Sequence, residues 1–457
     1  MNTNLLLNTD SYKTSHYSMY PPGCEALSCY IESRGGDYDT ILFFGLQAFL
    51  IEYLSNPITA ADITEAESIL SAHGVPFNKA GWEYILEKHQ GYLPVEIEAV
   101  PEGTLIAPQQ VLLQIHNTDP ACYWLPTYLE TALLRAIWYP TTVATVSWHC
   151  KQLLTQYLEE TADNTDALPY QLHDFGARGV SSNESAGLGG LAHLVNFRGT
   201  DTLAAIVAGQ RYYDEPMAGH SIPAAEHSTI ISWGKTQEAA AYKHILNLYS
   251  GPDKIAAIVC DSYDIWHALN TIFGKTFHNI IKNNAGKIIF RPDSGQPEEM
   301  VVQVTEALMQ AFGHRVNSKG YKVLPDNIRV IQGDGVNNDS IRSCLQAMKE
   351  QQLSAENIAF GMGGRLLQRI NRDTAKFAMK ANAAKVNGNW SEVQKKPITD
   401  LNKTSKGGRL ALIKDQQGVF QTIKLDELGT QTNQLRPIFK NGRLLIKENL
   451  NQIRDRT

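Results

Sequence analysis

The sequence predicts an α/β fold built on buried parallel strands, and three features between residues 254 and 372 indicate it. Four short apolar runs rich in isoleucine and valine have the length of buried strands, and each precedes a longer segment of helical character. The runs lack the alternation of a half-exposed strand, as expected where helices cover both faces of a sheet. Each run ends in a small polar tip, within the segments 254–264, 287–295, 328–335 and 358–364.

These polar tips mark a candidate site. Barrels and open sheets of parallel strands carry their chemistry at the C-terminal ends of the strands. A further segment, 170–179, has the same form and ends in His-Asp-Phe-Gly-Ala-Arg-Gly. The alternative is a set of ordinary strand-to-loop turns, since Asp and Gly are common turn residues. Repetition of tips that carry Asp, Arg and Gly favours a shared site over separate turns.

Composition indicates an ordinary globular protein with no basic surface for nucleic acid. The 457 residues carry a formal net charge of −6, and 43% are hydrophobic. Six cysteines without CxxC spacing favour a reducing compartment over a disulfide framework. The N-terminus lacks the features of a signal peptide, and no apolar run approaches the ~20 residues of a membrane helix. We therefore expect a cytoplasmic protein with no nucleic-acid or membrane partner.

The two chain ends differ from the middle of the chain in composition and in predicted secondary structure. Thr59 and Gly74 are a predicted N-cap and stop for one helix, and 93–118 resembles strands punctuated by Pro and Gly. After Arg372 the chain becomes lysine-rich and then strand-like again. The simplest organisation is a discontinuous, β-rich α/β domain formed by 1–135 and 376–457, with a barrel domain at 136–375 carrying most of the site.

The tips favour phosphate chemistry on a substrate that develops positive charge. Gly-rich turns allow backbone N–H groups to approach phosphate, and arginines can clamp its oxygens. Several aspartates would repel that phosphate unless Mg²⁺ or a cationic centre lay between them. An activated phosphoribose undergoing glycosyl transfer satisfies both requirements. A lone histidine is usually structural, but His227 lies among polar residues at a predicted helix start. The Walker A, GxGxxG, GxSxG and HExxH patterns are absent from the sequence.

Nine motifs resemble, in the same order, those of the nicotinamide phosphoribosyltransferases. They cover about residue 4 to about residue 445, and they are NTDSYKTSHYSMYPPG, LHDFGARGVSS, GTDT, PAAEHST, CDSYD, RPDSG, VIQGDG, AFGMGG and KGGRL. The resemblance implies the type II phosphoribosyltransferase fold, an irregular α/β barrel with a second α/β domain from both chain ends. It also implies a homodimer with active sites at the interface.

The implied reaction converts nicotinamide and phosphoribosyl pyrophosphate to nicotinamide mononucleotide and pyrophosphate, in NAD salvage. The family requires Mg²⁺, which would be bound through the pyrophosphate. ATP, as a co-substrate, would stimulate the reaction through a phosphohistidine.

The resemblance assigns roles around the base. His227 would be the phosphorylated histidine, oriented by Asp264. Phe175 would stack on nicotinamide, with Tyr12 of the partner subunit on the other face. Asp201 would accept a hydrogen bond from the carboxamide and repel the acid nicotinate.

The resemblance also assigns the phosphoribosyl and pyrophosphate site. Arg291 would hold pyrophosphate or the amide oxygen of the base, and Asp293 would act in catalysis by holding the ribose hydroxyls or Mg²⁺. The remaining predicted contacts are Arg34, Arg178, Gly333, Asp334, Gly363, Gly364, Arg372 and Lys380.

Two departures from the family pattern lie near the predicted phosphate contacts: Arg365 replaces a third glycine, and Ala378 replaces a frequent serine. Two alternatives stay open. A nicotinate phosphoribosyltransferase would have the same fold and mechanism, although Asp201 argues against it. A non-catalytic dimer that binds phosphorylated ligands is the alternative of another class.

Overall fold

The structure is a computed structural model that describes residues 4–399 and 404–457, and the chain divides into two compact units. The antiparallel unit takes its described residues from 1–145, 209–215 and 370–457, and the parallel unit comprises 146–208 and 216–369. The predicted domains, 1–135 with 376–457 and 136–375, stay a prediction.

The parallel unit is organised around one curved sheet in which all adjacent strands are parallel. In spatial order the strands are Gly199–Thr200, Leu172–Asp174, Ile358–Met362, Ile328–Gln332, Lys287–Arg291 and Ile255–Val259. The four predicted apolar runs and the run that begins at 170 are all strands of this sheet. Their parallel pairing brings their polar C-terminal tips to one edge, as the sequence predicts.

One segment joins the two outer strands of this sheet. Residue His220 forms a parallel bridge with Gly199, and Ala224 forms one with Ala257. The bridges are supported by hydrogen bonds from Thr200 N–H to the His220 carbonyl at 3.0 Å and from Ala225 N–H to the Ala257 carbonyl at 2.9 Å. The sheet is thereby closed irregularly, which agrees with the predicted irregular barrel.

Helices surround the parallel sheet. They are Asn183–His193, His227–Ile231, Glu238–Tyr249, Ile265–His267, His278–Lys282, Pro297–Phe312, Asn338–Glu350 and Gly364–Leu367, with a π-helical stretch Ala268–Thr276 and a hairpin of Arg315–Val316 with Lys322–Val323. Phe273 packs edge-on against Phe290 with ring centroids 5.2 Å apart, and Tyr242 packs against Phe273 at 4.6 Å. Apolar helix faces therefore seal the sheet and leave its C-terminal edge for polar groups.

The antiparallel unit is built on a sheet formed by both chain ends. Its strands, in spatial order, are Asn389–Glu392, Phe377–Val386, Cys24–Ser33, Val111–Asn117, Val95–Ala99, Arg436–Lys440 and Arg443–Leu444. Two smaller ladders pair Ile41–Leu42 with Leu105–Ile106 and Leu410–Lys414 with Phe420–Lys424. Cys24–Ser33 pairs along its length with Phe377–Val386. The return of the C-terminal region to the N-terminal strands is thus observed.

Helices pack on the antiparallel sheet around a large apolar core that includes Trp82, Tyr30 and Phe439. The α-helices are Leu46–Phe49, Ala60–His73, Lys79–Lys88, Leu125–Tyr128 and Leu450–Arg454, with Leu203–Tyr213 and Glu130–Thr161 contributing residues to both units. The predicted cap is confirmed: Thr59 and Asp62 form a capping box, and Gly74 ends the helix with φ +85°. Among the described residues, no helix combines the length and apolarity needed to cross a bilayer.

Candidate active site

Phe175 lies across the C-terminal ends of two neighbouring strands. Its backbone N–H donates to the carbonyl of Met362 at 2.9 Å. A methyl group added at Gly361 would lie 1.9 Å from Cε2 of the Phe175 ring, and one at Gly333 would lie 3.6 Å away. The ring therefore rests directly on the Gly361 backbone, where only glycine leaves room. This places a half-buried aromatic face at the edge where the polar tips meet.

His227 is held by the first carboxylate of the CDSYD tip. Its Nε2–H donates to Asp261 Oδ1 at 3.0 Å, and its Nδ1 lies 3.8 Å from Asp293 Oδ2. The second oxygen of Asp261 accepts from Ser294 Oγ at 2.6 Å and from the Asp293 N–H at 3.0 Å. Burial opposes ionisation of Asp261, but the hydrogen bonds from Ser294, His227 and Asp293 outweigh it and lower its pKa. The dyad is therefore an imidazole beside a fixed carboxylate.

This geometry corrects the predicted partner of His227. The family resemblance implies that Asp264 orients His227, but Asp264 Oδ1 accepts hydrogen bonds from the N–H groups of Trp266 and His267, both at 3.0 Å. Asp264 thus caps the helix that begins at Ile265. An Asp directly before an apolar helical run is a recognised N-cap signal, so this structural role was legible in the sequence.

Arg291 and Asp293 form a pair beside the dyad. Arg291 Nη1 donates to Asp293 Oδ1 at 3.1 Å, and Nη2 donates to the Ala225 carbonyl at 3.0 Å. Arg291 is 16% exposed and Asp293 is 26% exposed, so both can meet a ligand. A methyl group at Gly333 would lie 3.8 Å from Asp293 Oδ1, which places this pair next to the Phe175 ring.

Asp201 follows the outermost strand and is exposed. Its backbone N–H donates to the Asp174 carbonyl at 3.0 Å, and its Oδ1 accepts from Ser221 Oγ. Burial lowers the pKa of neighbouring His173, with the Asp201 charge opposing the shift. Burial also raises the pKa of Asp174. Asp201 is therefore the accessible carboxylate of this part of the edge.

The predicted phosphate loops of the parallel unit are glycine-rich. Gly363 precedes the short helix that begins at Gly364, and a methyl group at Gly179 would lie 3.2 Å from the Gly364 Cα. The loops that follow the neighbouring strands Leu172–Asp174 and Ile358–Met362 are therefore closely packed. Arg178, Asp334 and Arg365 have exposed side chains at these loops.

Four predicted contacts belong to the antiparallel unit: Tyr12, Arg34, Arg372 and Lys380. Burial lowers the pKa of Lys380, with Glu130 opposing and the cations Arg34, Lys13 and Arg372 adding to the shift. Arg34 Nε donates to Glu32 at 2.9 Å, while its buried Nη2 has no hydrogen-bond partner among the described residues. Arg34, Arg372 and Lys380, here called the cationic cluster, therefore provide hydrogen-bond donors suited to an anion.

The remaining predicted residues of this unit are exposed. Tyr12 is 58% exposed and lies edge-on to His16 with ring centroids 5.2 Å apart. Arg372 is 55% exposed and contacts only the adjacent Asp373, at 3.5 Å, among the ion pairs described.

Several contacts of the site were not assigned from the sequence, although Asp261 and Gly361 lie in the predicted polar tips and Lys406 lies in the lysine-rich segment. Asp261 and Ser294 complete the His227 dyad, Ser221 contacts Asp201, and Gly361 admits the Phe175 ring. Lys406, which donates to Glu32, joins the cationic cluster. Serines and single glycines are too common in loops to signal such contacts, because the contacts depend on which strands become neighbours.

The family resemblance implies that Mg²⁺ would be bound through pyrophosphate, and the carboxylates at this edge fit that expectation. Both oxygens of Asp261 and one oxygen of Asp293 are already hydrogen-bonded to protein groups. Within residues 4–399 and 404–457, no three His, Cys, Asp or Glu side chains at this edge bring ligand atoms close enough to share one ion. Mg²⁺ commonly binds through one or two carboxylates together with phosphates and water, and Asp293 and Asp334 are suited to that role.

Comparisons with known proteins identify the family of this chain. Residues 170–443 match the nicotinate phosphoribosyltransferase (NAPRTase) family, and residues 4–97 match the nicotinamide phosphoribosyltransferase N-terminal domain. The chain is 50% identical to the nicotinamide phosphoribosyltransferase of Xanthomonas campestris pv. campestris over 99% of this chain and 97% of that protein. It is 31% identical to that of Acinetobacter baylyi over 98% and 95%.

Solved structures confirm the predicted fold class. The nicotinate-nucleotide pyrophosphorylase of Pyrococcus furiosus superposes with a TM-score of 0.64 at 15% identity, over 100% of this chain and 95% of that chain. Human nicotinic acid phosphoribosyltransferase superposes with a TM-score of 0.60 at 15% identity, over 98% and 92%. Together with the matched family and the relative at 50% identity, this establishes that the chain belongs to the nicotinate phosphoribosyltransferase family of enzymes.

Proposed function

We propose that this enzyme transfers the phosphoribosyl group of phosphoribosyl pyrophosphate to nicotinamide, which yields nicotinamide mononucleotide and pyrophosphate. The observation that carries the choice of base is Asp201, an exposed carboxylate at the strand edge that also carries Phe175. A carboxylate accepts hydrogen bonds but donates none, so it favours a carboxamide over a second carboxylate. Phe175 offers the flat base an aromatic surface.

In the reaction, the C1′–O bond to pyrophosphate breaks as the pyridine nitrogen of nicotinamide forms a bond to C1′. The pyrophosphate leaves with the electron pair, and positive charge develops on the ribose before it passes to the pyridinium product. Asp293 stabilises this charge and holds the ribose hydroxyls, while Arg291 binds the pyrophosphate or the amide oxygen. Asp293 and Asp334 are the protein carboxylates that would hold Mg²⁺ together with the pyrophosphate, and the ion would supply positive charge to the leaving group.

His227 is proposed to couple the reaction to ATP. Its imidazole takes the γ-phosphoryl group, ADP leaves, and later hydrolysis of the phosphohistidine returns phosphate and free His227. Asp261 orients the ring and stabilises its positive charge, because it is an ionised carboxylate 3.0 Å from Nε2. The phosphorylation drives the equilibrium and is separate from the bond change at C1′.

A homodimer with active sites at its interface, in the cytoplasm, completes the proposal. Tyr12 of the partner subunit would cover the second face of the base, and the cluster of Arg34, Arg372 and Lys380 would bind phosphate. Two observations support this assembly and location. Leu203 and Val207, one helical turn apart, are 79% and 60% exposed on the helix that follows Asp201, and such apolar faces are typical of interfaces. All six cysteines, which lie in the described part of the chain, are buried free thiols.

The test is product formation from phosphoribosyl pyrophosphate and Mg²⁺ with nicotinamide or nicotinate, each with and without ATP. Preferential formation of nicotinamide mononucleotide with ATP stimulation is expected. His227→Ala should keep some transferase activity and lose ATP stimulation, and Asp201→Asn should weaken discrimination against nicotinate. Faster turnover of nicotinate would assign the alternative base. Absence of product with either base would return the non-catalytic binding dimer to consideration.

A further inference from the structure

One segment of the parallel unit touches three parts of the candidate site. Ser221 donates to Asp201, the Ala225 carbonyl accepts from Arg291, and His227 donates to Asp261. The first of these contacts has no place in the reaction described above. Ser221 and Asp201 are both exposed, so neither the hydroxyl nor the carboxylate is forced into this contact by burial.

The backbone holds Ser221 opposite Asp201. Thr200 N–H donates to the His220 carbonyl at 3.0 Å, and His220 N–H donates to the Arg198 carbonyl at 2.7 Å. Asp201 N–H is itself fixed to the Asp174 carbonyl at 3.0 Å. Thr200 and His220, the residues that precede Asp201 and Ser221, are therefore hydrogen-bonded through their backbones. This pairing, which also closes the sheet, holds the two side chains next to each other.

We propose that Ser221 is a positioning residue that selects the base by orienting the Asp201 carboxylate. Its hydroxyl donates to Oδ1, and Oδ2 accepts no hydrogen bond among the described residues. Oδ2 is thereby left as the acceptor for a carboxamide N–H, with the carboxylate plane already set. This inference rests on the proposed role of Asp201 in binding nicotinamide.

The physical effect is preorganisation of an acceptor. A carboxylate without Ser221 can turn about its terminal bond and exchange either oxygen with water, so part of the binding energy is lost in fixing it. The loss falls on nicotinamide, which donates an N–H to Asp201. It does not fall on nicotinate, whose negative charge Asp201 repels in either orientation. Removing the Ser221 hydroxyl should therefore lower the preference of the enzyme for nicotinamide over nicotinate.

The experiment compares Ser221→Ala with Ser221→Thr, Asp201→Asn and the double variant, in the full-length enzyme. A matched control is Ser318→Ala, because Ser318 Oγ also donates to an exposed aspartate, Asp163, at 2.7 Å in the same unit. The measurements are KM and kcat for nicotinamide, KM for phosphoribosyl pyrophosphate, and the ratio of kcat/KM for nicotinamide to that for nicotinate. Thermal unfolding checks that each variant folds.

Ser221→Ala is expected to raise KM for nicotinamide by about tenfold, the order of one hydrogen bond to a charged group, with kcat changed less than about twofold. The amide-to-acid ratio should fall by a similar factor, and KM for phosphoribosyl pyrophosphate should stay unchanged. Ser221→Thr should restore the ratio, and Ser318→Ala should match the wild type. The amide-to-acid ratio of the double variant should be no lower than that of Asp201→Asn, because both substitutions remove the same interaction with the carboxamide.

The outcomes separate the two proposals. If Asp201→Asn lowers the ratio and Ser221→Ala leaves it unchanged, the positioning role is refuted and the role of Asp201 stands. Additive losses in the double variant would also refute it, since Ser221 would then act independently of Asp201. If Asp201→Asn itself leaves the ratio unchanged, both proposals fail together.

Discussion

The two units of this chain bring charged residues together by different rules. In the parallel unit, neighbouring strands end at one edge, so residues just after Val259 and Arg291 meet directly. In the antiparallel unit, neighbours depend on register between distant strands: Tyr30 lies opposite Lys380, and the Lys406 N–H donates to the Tyr30 hydroxyl 376 positions away. Parallel topology therefore makes a site predictable from local pattern, whereas antiparallel pairing of chain ends does not.

The charge balance of the two regions also differs. In the parallel unit, hydrogen-bond donors outweigh burial and lower the pKa of Asp261, so a carboxylate is kept ionised beside an imidazole. In the antiparallel unit, burial and neighbouring cations lower the pKa of Lys380. The first region is arranged to stabilise positive charge, and the second to receive negative charge.

The largest expected effect concerns the dyad of the parallel unit. Asp261→Asn should lower the ATP-stimulated rate by about 10³-fold, because the imidazole loses the charge that orients and stabilises it. Asp264→Ala should instead lower the free energy of unfolding by about 1 kcal/mol, the usual loss of an N-cap. Steady-state rates with and without ATP, together with urea unfolding, separate the two. A greater loss of ATP stimulation in Asp264→Ala than in Asp261→Asn would restore the assignment made from sequence.

The second effect tests the buried charge of the antiparallel unit. Burial raises the pKa of Glu102 to about 7, from an ordinary value of 4.5, although Gln47 N–H and Tyr213 OH donate to it. The unfolded chain therefore loses this proton first as pH rises. The stabilisation is complete below pH 4.5 and is lost between 4.5 and about 7.

Glu102→Gln mimics the protonated acid and should remove that dependence. Wild type and variant should have similar free energies of unfolding at low pH, and the variant should be more stable by up to about 3 kcal/mol above pH 7. Urea unfolding across this range makes the comparison. Parallel pH profiles for the two proteins would mean that Glu102 is ionised in the folded state.

The same contrast explains what could be foreseen from the sequence. The strand at 287–291, with Arg291 and Asp293 in its tip, was predictable because apolar runs and turn residues are local signals. Asp264, which caps a helix, and Asp261, which accepts the hydrogen bond from His227, lie three positions apart in the sequence. Their roles can be told apart only from the position of His227 in space. The roles of Arg34 and Lys380 came from family resemblance alone, because no local pattern relates one chain end to the other.

The third effect compares two glycines under the Phe175 ring. A methyl group at Gly361 would meet the ring at 1.9 Å, whereas one at Gly333 would meet it at an ordinary 3.6 Å. Gly361→Ala should lower the free energy of unfolding by about 2 kcal/mol, within the usual cost of overpacking, and displace the ring from its proposed stacking position. Gly333→Ala should change thermal stability much less. Equal stability losses in the two variants would show that the ring moves freely.

The smallest effect returns to the cationic cluster of the antiparallel unit. Lys380→Ala should raise KM for phosphoribosyl pyrophosphate about tenfold, because one charged contact to phosphate contributes roughly 1.4 kcal/mol, and leave base preference unchanged. Lys385→Ala is the matched control: it lies on the same strand, but its ammonium is paired with Glu25 at 3.1 Å. The effect of Lys380→Ala should shrink as salt rises, because salt screens the attraction between the ammonium and the phosphate. Equal KM values for the two variants would remove Lys380 from the phosphate site and leave its cluster a structural feature of the paired chain ends.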